Sequence, residues 1–216
     1  MSKGTSAGRC QFCSQVLPCA VMARHLSSCG QPETSASSTG PSFHLLVEAR
    51  HAKAYWMHVA LPVNAPLSKL DKFLRKTWLE CCGHLSSFEI AGERYASDPM
   101  DGESGMKRPL QQVVDVGMSF SYEYDYGSTT ELKLKVAGVR AEGTPKGAAQ
   151  LLARNEPPSI LCQSCGTEPA AQICAQCAWD EVGWLCPGCA DRHSCEEAMR
   201  LPVTNSPRAG VCAYSG

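Results

Sequence analysis

The chain has 216 residues, of which 44% are hydrophobic and 19% are charged, and its formal net charge is −1. This composition is typical of a globular protein with one medium domain and one or two small ones, and it excludes a polycation that binds nucleic acid through its overall charge. Because the first eight residues are polar and no run of roughly 18 apolar residues is present, we expect a cytoplasmic protein without an export signal or membrane contact.

The 14 cysteines are the unusual feature of this composition. Four lie within residues 10–29, two are adjacent at 81 and 82, and eight lie within residues 162–212. Since many of them recur as C-x-x-C pairs in a chain without a signal peptide, the pattern favours metal ligation over disulfide bonds.

The head of the chain, residues 1–30, has the ligand spacing of a small zinc finger. The pattern is C-x2-C followed eleven residues later by H-x3-C, which predicts one zinc ion bound by Cys10, Cys13, His25 and Cys29. Cys19 is left over. The helical stretch around His25 carries Arg24 as its one basic residue, so the finger is not predicted to read DNA.

Residues 31–41 are rich in Pro, Ser, Thr and Gly and are predicted to be a linker.

The middle of the chain, residues 42–142, alternates between strand-like and helix-like apolar patterns. The fold class predicted for it is α+β, with a mixed or antiparallel sheet and an amphipathic helix, flanked by two small zinc-stabilised modules. The helix is predicted over residues 67–82, where apolar residues recur every three or four positions. Strands are predicted at residues 43–49, 55–61, 86–91, 94–96, 118–126 and 131–136.

Residues 143–159 are predicted to be a second linker with one short helical turn, and residues 160–216 a Cys-rich module that binds two zinc ions. Three C-x-x-C pairs and a final H-x-C provide eight ligands, enough for two tetrahedral structural sites. A cross-brace places Cys162, Cys165, Cys186 and Cys189 on one ion and Cys174, Cys177, His193 and Cys195 on the other. Sequential pairing is the alternative, and Cys212 competes with Cys195 as the last ligand.

Several other residues in the middle domain are functional candidates. His84 and Asp125 can suggest acid–base chemistry, but a helix cap and a turn acceptor explain them as well. The adjacent Cys81 and Cys82 can form a redox pair, although the helical pattern favours a structural role. A stripe of aromatic residues at alternate positions, 120–126, can stack on bases but is more typical of a sheet face.

Three segments of the middle domain, YWMHVALP, APLSKLDKFLRKTWLECCGHLSSFEI and FSYEYDYGSTTELKLKV, carry a family resemblance. Together they resemble the plasmid pRiA4b ORF-3-like family, described as TnpR-like insertion-element passenger proteins, over residues 42–140. Trp78 and residues 84–88 and 120–128 carry the match. The tail is similar to an extension found on some members. The resemblance implies no established activity and no catalytic residues.

The charge of the tail distinguishes between the remaining functional classes. The tail has three arginines against six acids, and two thiolate-rich zinc sites lower its charge to about −6. Because phosphate binding needs Lys and Arg, the sequence predicts a protein-interaction adaptor with about three structural zinc ions. The alternatives are a nucleic-acid-binding accessory factor of mobile elements and an enzyme that uses the middle domain. No small-molecule ligand is predicted.

Overall fold

In the computed structural model of the chain, residues 6–29, 40–141, 144, 147–180 and 182–216 are described. The predicted linker at 31–41 therefore lies almost wholly outside the described residues. The described part forms a ten-stranded sheet, a three-stranded sheet and a few helices, which confirms the α+β class. None of its helices has the length and apolarity needed to cross a membrane.

The ten-stranded sheet is mixed, because one edge pair is parallel and the other pairs are antiparallel. Its strands are β1 (Ala7–Cys10), β2 (Val16–Pro18), β3 (Ser42–Ala49), β4 (Trp56–Pro62), β5 (Ser86–Ile90), β6 (Glu93–Ala96), β7 (Ser104–Gly105), β8 (Ser119–Tyr124), β9 (Thr130–Arg140) and β10 (Gln150–Asn155). Their spatial order is β2-β1-β10-β4-β3-β9-β8-β5-β6-β7.

Helix α1 (Cys19–Leu26) belongs to the head and helix α2 (Leu67–Leu74) to the middle domain. The α-helix predicted over residues 67–82 ends at Leu74. The chain continues as a single π turn, Arg75–Leu79, and its backbone becomes extended at Glu80. The turn buries two consecutive large side chains, Trp78 and Leu79. The chain therefore leaves the helix before the two adjacent cysteines, which lie in an irregular loop.

The main core lies between α2 and one face of the sheet. It contains Leu67, Leu70 and Leu74 of the helix, whereas Lys69 and Lys72 are exposed. From the sheet it takes alternate residues of β3, β4, β5, β8 and β9, including Phe120, Tyr122 and Tyr124 of the aromatic stripe, while Tyr126 lies beyond the strand and is exposed. A 3-10 turn, Leu110–Gln112, closes one side of this core.

The central strand β4 is buried along its whole length, because both of its faces are covered. Met57, Val59 and Leu61 face the main core, and Trp56 and Ala60 face a second apolar cluster. That second cluster also contains Met22 and Leu26 of α1, together with Leu152 and Ala153 of β10. The head is thus packed on the reverse face of the sheet, and a strand with two covered faces is apolar at consecutive positions.

Strand β10 joins the head to the middle domain. It pairs with β1 on one side and with β4 on the other, although residues 143–159 were predicted to be a linker with a helical turn. Its partners lie about 90 to 145 residues away along the chain, so no local sequence signal marks it as a strand.

Two buried histidines, His44 and His58, lie on the reverse face of the sheet, opposite the main core. Nε2 of His44 is 2.8 Å from Nδ1 of His58. Burial lowers the pKa of His44 to about 4 and that of His58 to about 3, so both are neutral packing residues near neutral pH. Neither belongs to any of the cysteine and histidine groups that could hold a metal ion among the described residues.

The tail forms a small three-stranded sheet with short helices. It contains β11 (Gln172–Cys174), β12 (Trp184–Leu185), α3 (Pro187–Ala190), β13 (Arg200–Pro202) and the 3-10 turns Cys177–Asp180 and Glu197–Met199. Its central strand is β11.

After β13 the chain returns to the middle domain, and residues 203–214 are called the return segment below. Ser206 donates a hydrogen bond to the Trp78 carbonyl at 2.5 Å, and Arg208 is completely buried. Gly210 has φ +80°, and a Cβ there would lie 2.3 Å from Ile173 of the tail sheet. The return segment therefore lies between the tail sheet and the middle domain.

The packing of β1 against Trp56 generates a test of the head contact. A Cβ at Gly8 would lie 2.4 Å from both the Trp56 ring and the Arg154 carbonyl. We expect Gly8→Ala to lower the free energy of unfolding by about 1–3 kcal/mol, as overpacking does, when measured by denaturant titration of the metal-loaded protein.

Gly138→Ala in β9 is the matched control, since nothing lies within 4 Å of its Cβ position. Its effect should stay within about 0.5 kcal/mol. Equal effects of the two substitutions would contradict the close packing of β1 on Trp56.

Candidate metal centres

All 14 cysteines are free thiols, and 13 of them converge with three histidines in four clusters that can hold metal ions. Each cluster brings four ligand atoms within 4.8 Å of one another. The four are the head cluster (Cys10, Cys13, His25, Cys29), tail cluster 1 (Cys162, Cys165, Cys186, Cys189), tail cluster 2 (Cys174, Cys177, His193, Cys195) and the return cluster (Cys81, Cys82, His84, Cys212). Cys19 is the cysteine left outside them.

The distances between ligand atoms within the clusters fit tetrahedral coordination of one ion. Thiolates about 2.3 Å from a central zinc ion would lie about 3.8 Å from one another. The sulfur atoms of Cys10 and Cys29 are 3.8 Å apart, and those of Cys165 and Cys186 are 3.9 Å apart. These distances are far longer than the roughly 2.05 Å of a disulfide, so these cysteine pairs are not disulfide-bonded and the clusters could hold metal ions.

The C-x-x-C pair of the head and the first C-x-x-C pair of the tail have the same backbone turn. Ser14 (φ 62°) and Gly166 (φ 72°) follow the second cysteine in the left-handed region, and each donates its N–H to the carbonyl of the first cysteine, at 3.0 and 2.8 Å. The turn points backbone N–H groups at the sulfurs. Hydrogen bonds from Thr167 and the N–H of Glu168 accordingly lower the pKa of Cys165 to about 6.

The head cluster is assembled by α1 and the β1–β2 turn. Helix α1 carries His25 in its last turn, and the N–H of Cys29 donates to the His25 carbonyl at 2.9 Å. Cys13 lies 3.3 Å from Nε2 of His25. Since Met22 and Leu26 of the same helix are fully buried against Trp56, packing on the sheet fixes the helix that presents the ligands.

The tail clusters have the ligand pairing of a cross-brace. The first and third C-x-x-C pairs form tail cluster 1, and the second pair joins His193 and Cys195 in tail cluster 2. The sulfur of Cys177 is 3.5 Å from both Nε2 of His193 and the sulfur of Cys195. The structure thus places Cys195, and not Cys212, beside the second tail pair.

The return cluster is the one that the sequence analysis missed. It joins an irregular loop after α2 to Cys212, which is about 130 residues away in sequence. The sulfurs of Cys82 and Cys212 are 3.6 Å apart, and Nε2 of His84 lies 3.0 Å from Cys82. A signal for it exists in the local C-C-x-H motif and in the cysteines that the three predicted sites leave unused.

Asp125 also lies beside His84, with its Oδ2 3.5 Å from Nε2 of the imidazole. The same oxygen accepts a hydrogen bond from the buried Arg208 at 2.5 Å, and Oδ1 accepts from the N–H of Gly127 at 3.0 Å. Burial alone would raise the pKa of Asp125, but these hydrogen bonds hold it below its usual value. The carboxylate is therefore ionised and paired with arginine, which leaves it a poor general base.

The electrostatics of the clusters favour a bound cation. Burial and hydrogen bonding to neighbouring thiols raise the pKa of Cys29 to about 12. A hydrogen bond with Cys195 and burial raise the pKa of Cys177 to about 12. Because thiolates in one cluster repel one another, they cannot all ionise near neutral pH unless a cation compensates their charge.

No family model and no curated protein matches this chain. A similar solved structure is the crystal structure of the protein of unknown function MM3350 from Methanosarcina mazei Go1, which is 17% identical. The match covers 53% of this chain and 67% of that chain, with a TM-score of 0.45.

The head cluster provides a test with a matched pair of cysteines. We expect Cys29→Ser to lower the bound metal by about one ion per chain, because the cluster loses a ligand. Cys19→Ser should leave the metal content unchanged, since Cys19 lies in the same head outside every cluster. Elemental analysis after dialysis against a weak chelator measures both, and equal metal content would contradict the head cluster.

The raised thiol pKa values predict the direction of a pH effect. A thiol with a pKa of about 12 is protonated in the metal-free protein near neutral pH, so metal binding must release its proton. Zinc affinity should therefore fall as the pH is lowered from about 8 to about 6.5. Competition titration with a chromophoric chelator measures it, and a pH-independent affinity would show that these thiols are not ligands.

Proposed function

We propose that the protein is a multi-module adaptor, in which structural zinc ions hold a head module and a tail module on the middle domain and the tail binds a protein partner. Zinc is the ion favoured by the ligand chemistry, because tetrahedral sets of four thiolates, or of three thiolates and one imidazole, are typical of structural zinc. On this proposal the head cluster and the two tail clusters hold three ions.

The composition of the tail core supports a structural role for these ions. Its cluster of buried residues is made mainly of metal-ligand cysteines, with Leu185 and Ala190 as the other members. A core this small does not stabilise a module of about 50 residues. Zinc binding, at roughly 10 kcal/mol or more per site, supplies the missing stability.

The charge of the tail is the observation that carries the choice of partner. The zinc-loaded tail carries about −6. Five of its acidic residues are exposed in the part of the chain that carries the two clusters: Glu168, Asp180, Asp191, Glu196 and Glu197. Such a surface repels phosphates and attracts basic groups. We therefore rank a basic protein segment above nucleic acid as its partner.

Exposed apolar side chains on the same module mark where such a segment would bind. Leu161 and Val182 are 53% and 54% exposed. The N–H of Gln163 donates to the Trp184 carbonyl at 2.7 Å, which places the two segments carrying these residues side by side. Exposed apolar anchors on an acidic module are typical of a protein-binding surface.

We propose that residues 42–140 share ancestry with the pRiA4b ORF-3-like family, which they resemble in sequence. It adds no activity to the adaptor function. The alternative of a nucleic-acid-binding accessory factor is a weaker proposal, because the tail charge opposes it.

The adaptor function is tested by affinity capture from a lysate of the source cells. We expect the double variant Leu161→Ser and Val182→Ser to lose about tenfold or more of a captured protein, as removal of interface anchors does. Cross-linking followed by mass spectrometry should locate a basic segment of that protein on the tail. Capture should also fail after zinc removal, since the module then loses its structure.

The matched control is the double variant Met100→Ser and Val116→Ser, which changes two exposed apolar residues of the middle domain. It should capture the partner as well as the unchanged chain does. Equal capture by both double variants would contradict the tail surface. A salt-sensitive mobility shift of a DNA duplex, without protein capture, would favour the nucleic-acid alternative.

A further inference from the structure

The structure assigns a fourth structural zinc site to the return cluster. We infer that one ion, bound by Cys81, Cys82, His84 and Cys212, fastens the return segment to the middle domain. This site lies outside the three zinc sites of the proposed function, and it joins two parts of the chain that are far apart in sequence.

The ligand geometry is that of the other clusters. The sulfurs of Cys81 and Cys82 are 3.8 Å apart, and that of Cys212 is 3.6 Å from Cys82 and 3.8 Å from Nε2 of His84. These separations match the edges of a tetrahedron of three thiolates and one imidazole around zinc. Two adjacent cysteines joined as a disulfide would need sulfurs about 2.05 Å apart.

The loop that carries three of the ligands is held in place by hydrogen bonds from the middle domain. The N–H of Gly83 donates to the Glu80 carboxylate at 2.7 Å, and the Tyr124 hydroxyl donates to the same carboxylate at 3.1 Å. Arg75 pairs with Glu80 at 2.6 Å. Gly83 itself has φ +84°, so the chain turns sharply between Cys82 and His84 and directs both side chains to one side.

The fourth ligand lies in a backbone conformation that a cysteine rarely adopts. Cys212 has φ 56°, in the left-handed region, which costs a non-glycine residue of the order of 1 kcal/mol or more. Such a conformation persists where surrounding contacts determine it. A metal bond that directs the thiol toward the loop accounts for this choice of residue.

Arg208 supplies the charge that an anionic zinc site needs from its surroundings. Three thiolates and one neutral imidazole around Zn²⁺ leave a charge of about −1. The guanidinium of Arg208 is completely buried, and it donates to the Cys81 sulfur at 3.5 Å as well as to Asp125. It also lies over the Tyr124 ring, 4.8 Å from its centroid. Outer hydrogen bonds of this kind fix metal ligands in position.

The site can be tested by alkylation of the native zinc-loaded protein, because two of its thiols are exposed. Cys82 and Cys212 are exposed, as are Cys13 and Cys165 of the head and first tail clusters. An exposed free thiol reacts with iodoacetamide, whereas a zinc-bound thiolate is protected. We expect all four to be labelled about tenfold or more slowly before chelation than after it, as measured by peptide mass spectrometry.

His84→Ala removes one ligand without changing a thiol. It should lower the zinc content by about one ion per chain and expose Cys82 and Cys212 to labelling, while Cys13 and Cys165 stay protected. His51→Ala is the control, since His51 is exposed and outside every cluster, and it should leave all four thiols protected. Circular dichroism of both variants checks that the fold is retained.

Two results would overturn the fourth site while leaving the proposed function intact. One is rapid labelling of Cys82 and Cys212 in the loaded protein while Cys13 and Cys165 are protected. The other is a peptide mass that shows a disulfide between Cys81 and Cys82. Rapid labelling of all four thiols would contradict the three-zinc scaffold as well as the fourth site.

Discussion

The constraint on which this structure depends is that clustered thiols need a cation. Thirteen cysteines and three histidines lie in four groups whose ligand atoms are within 4.8 Å. Without an ion, neighbouring thiols raise the pKa of some members of these groups, as for Cys29 and Cys177. A bound ion would compensate this charge and stabilise modules whose apolar cores are small.

The head is joined to the middle domain through the large sheet, and the tail is joined to it through the return segment. Strand β10 lies between β1 of the head and β4 of the middle domain, and the fully buried Trp56 lies under helix α1. On the other side, the return segment places Arg208 beneath the turn after β8, where it pairs with Asp125. A metal ion bound in the head or the tail would therefore be coupled by packing to the stability of the middle domain.

The groups of cysteine and histidine that could hold a metal ion in the head and tail were largely predictable, because they depend on local spacing. A C-x-x-C pair closes its own turn, and His25 and Cys29 lie on one stretch of chain. The middle strands were predictable from alternating apolar residues, and the sheet confirms the α+β class. Strand β10 and the early end of α2 were not predicted, since the first depends on distant partners and the second on the burial of Trp78 and Leu79.

The sequence by itself determined that this protein has cysteine-rich modules at both ends of an α+β domain, since ligand spacing and apolar periodicity are local properties. Only the tertiary structure decided which ligands meet. It placed Cys195 in tail cluster 2 and brought Cys212 to the loop containing Cys82 and His84. The reason is physical: Arg208 and Ser206 anchor the return segment on the middle domain, and no spacing rule along the chain encodes that contact.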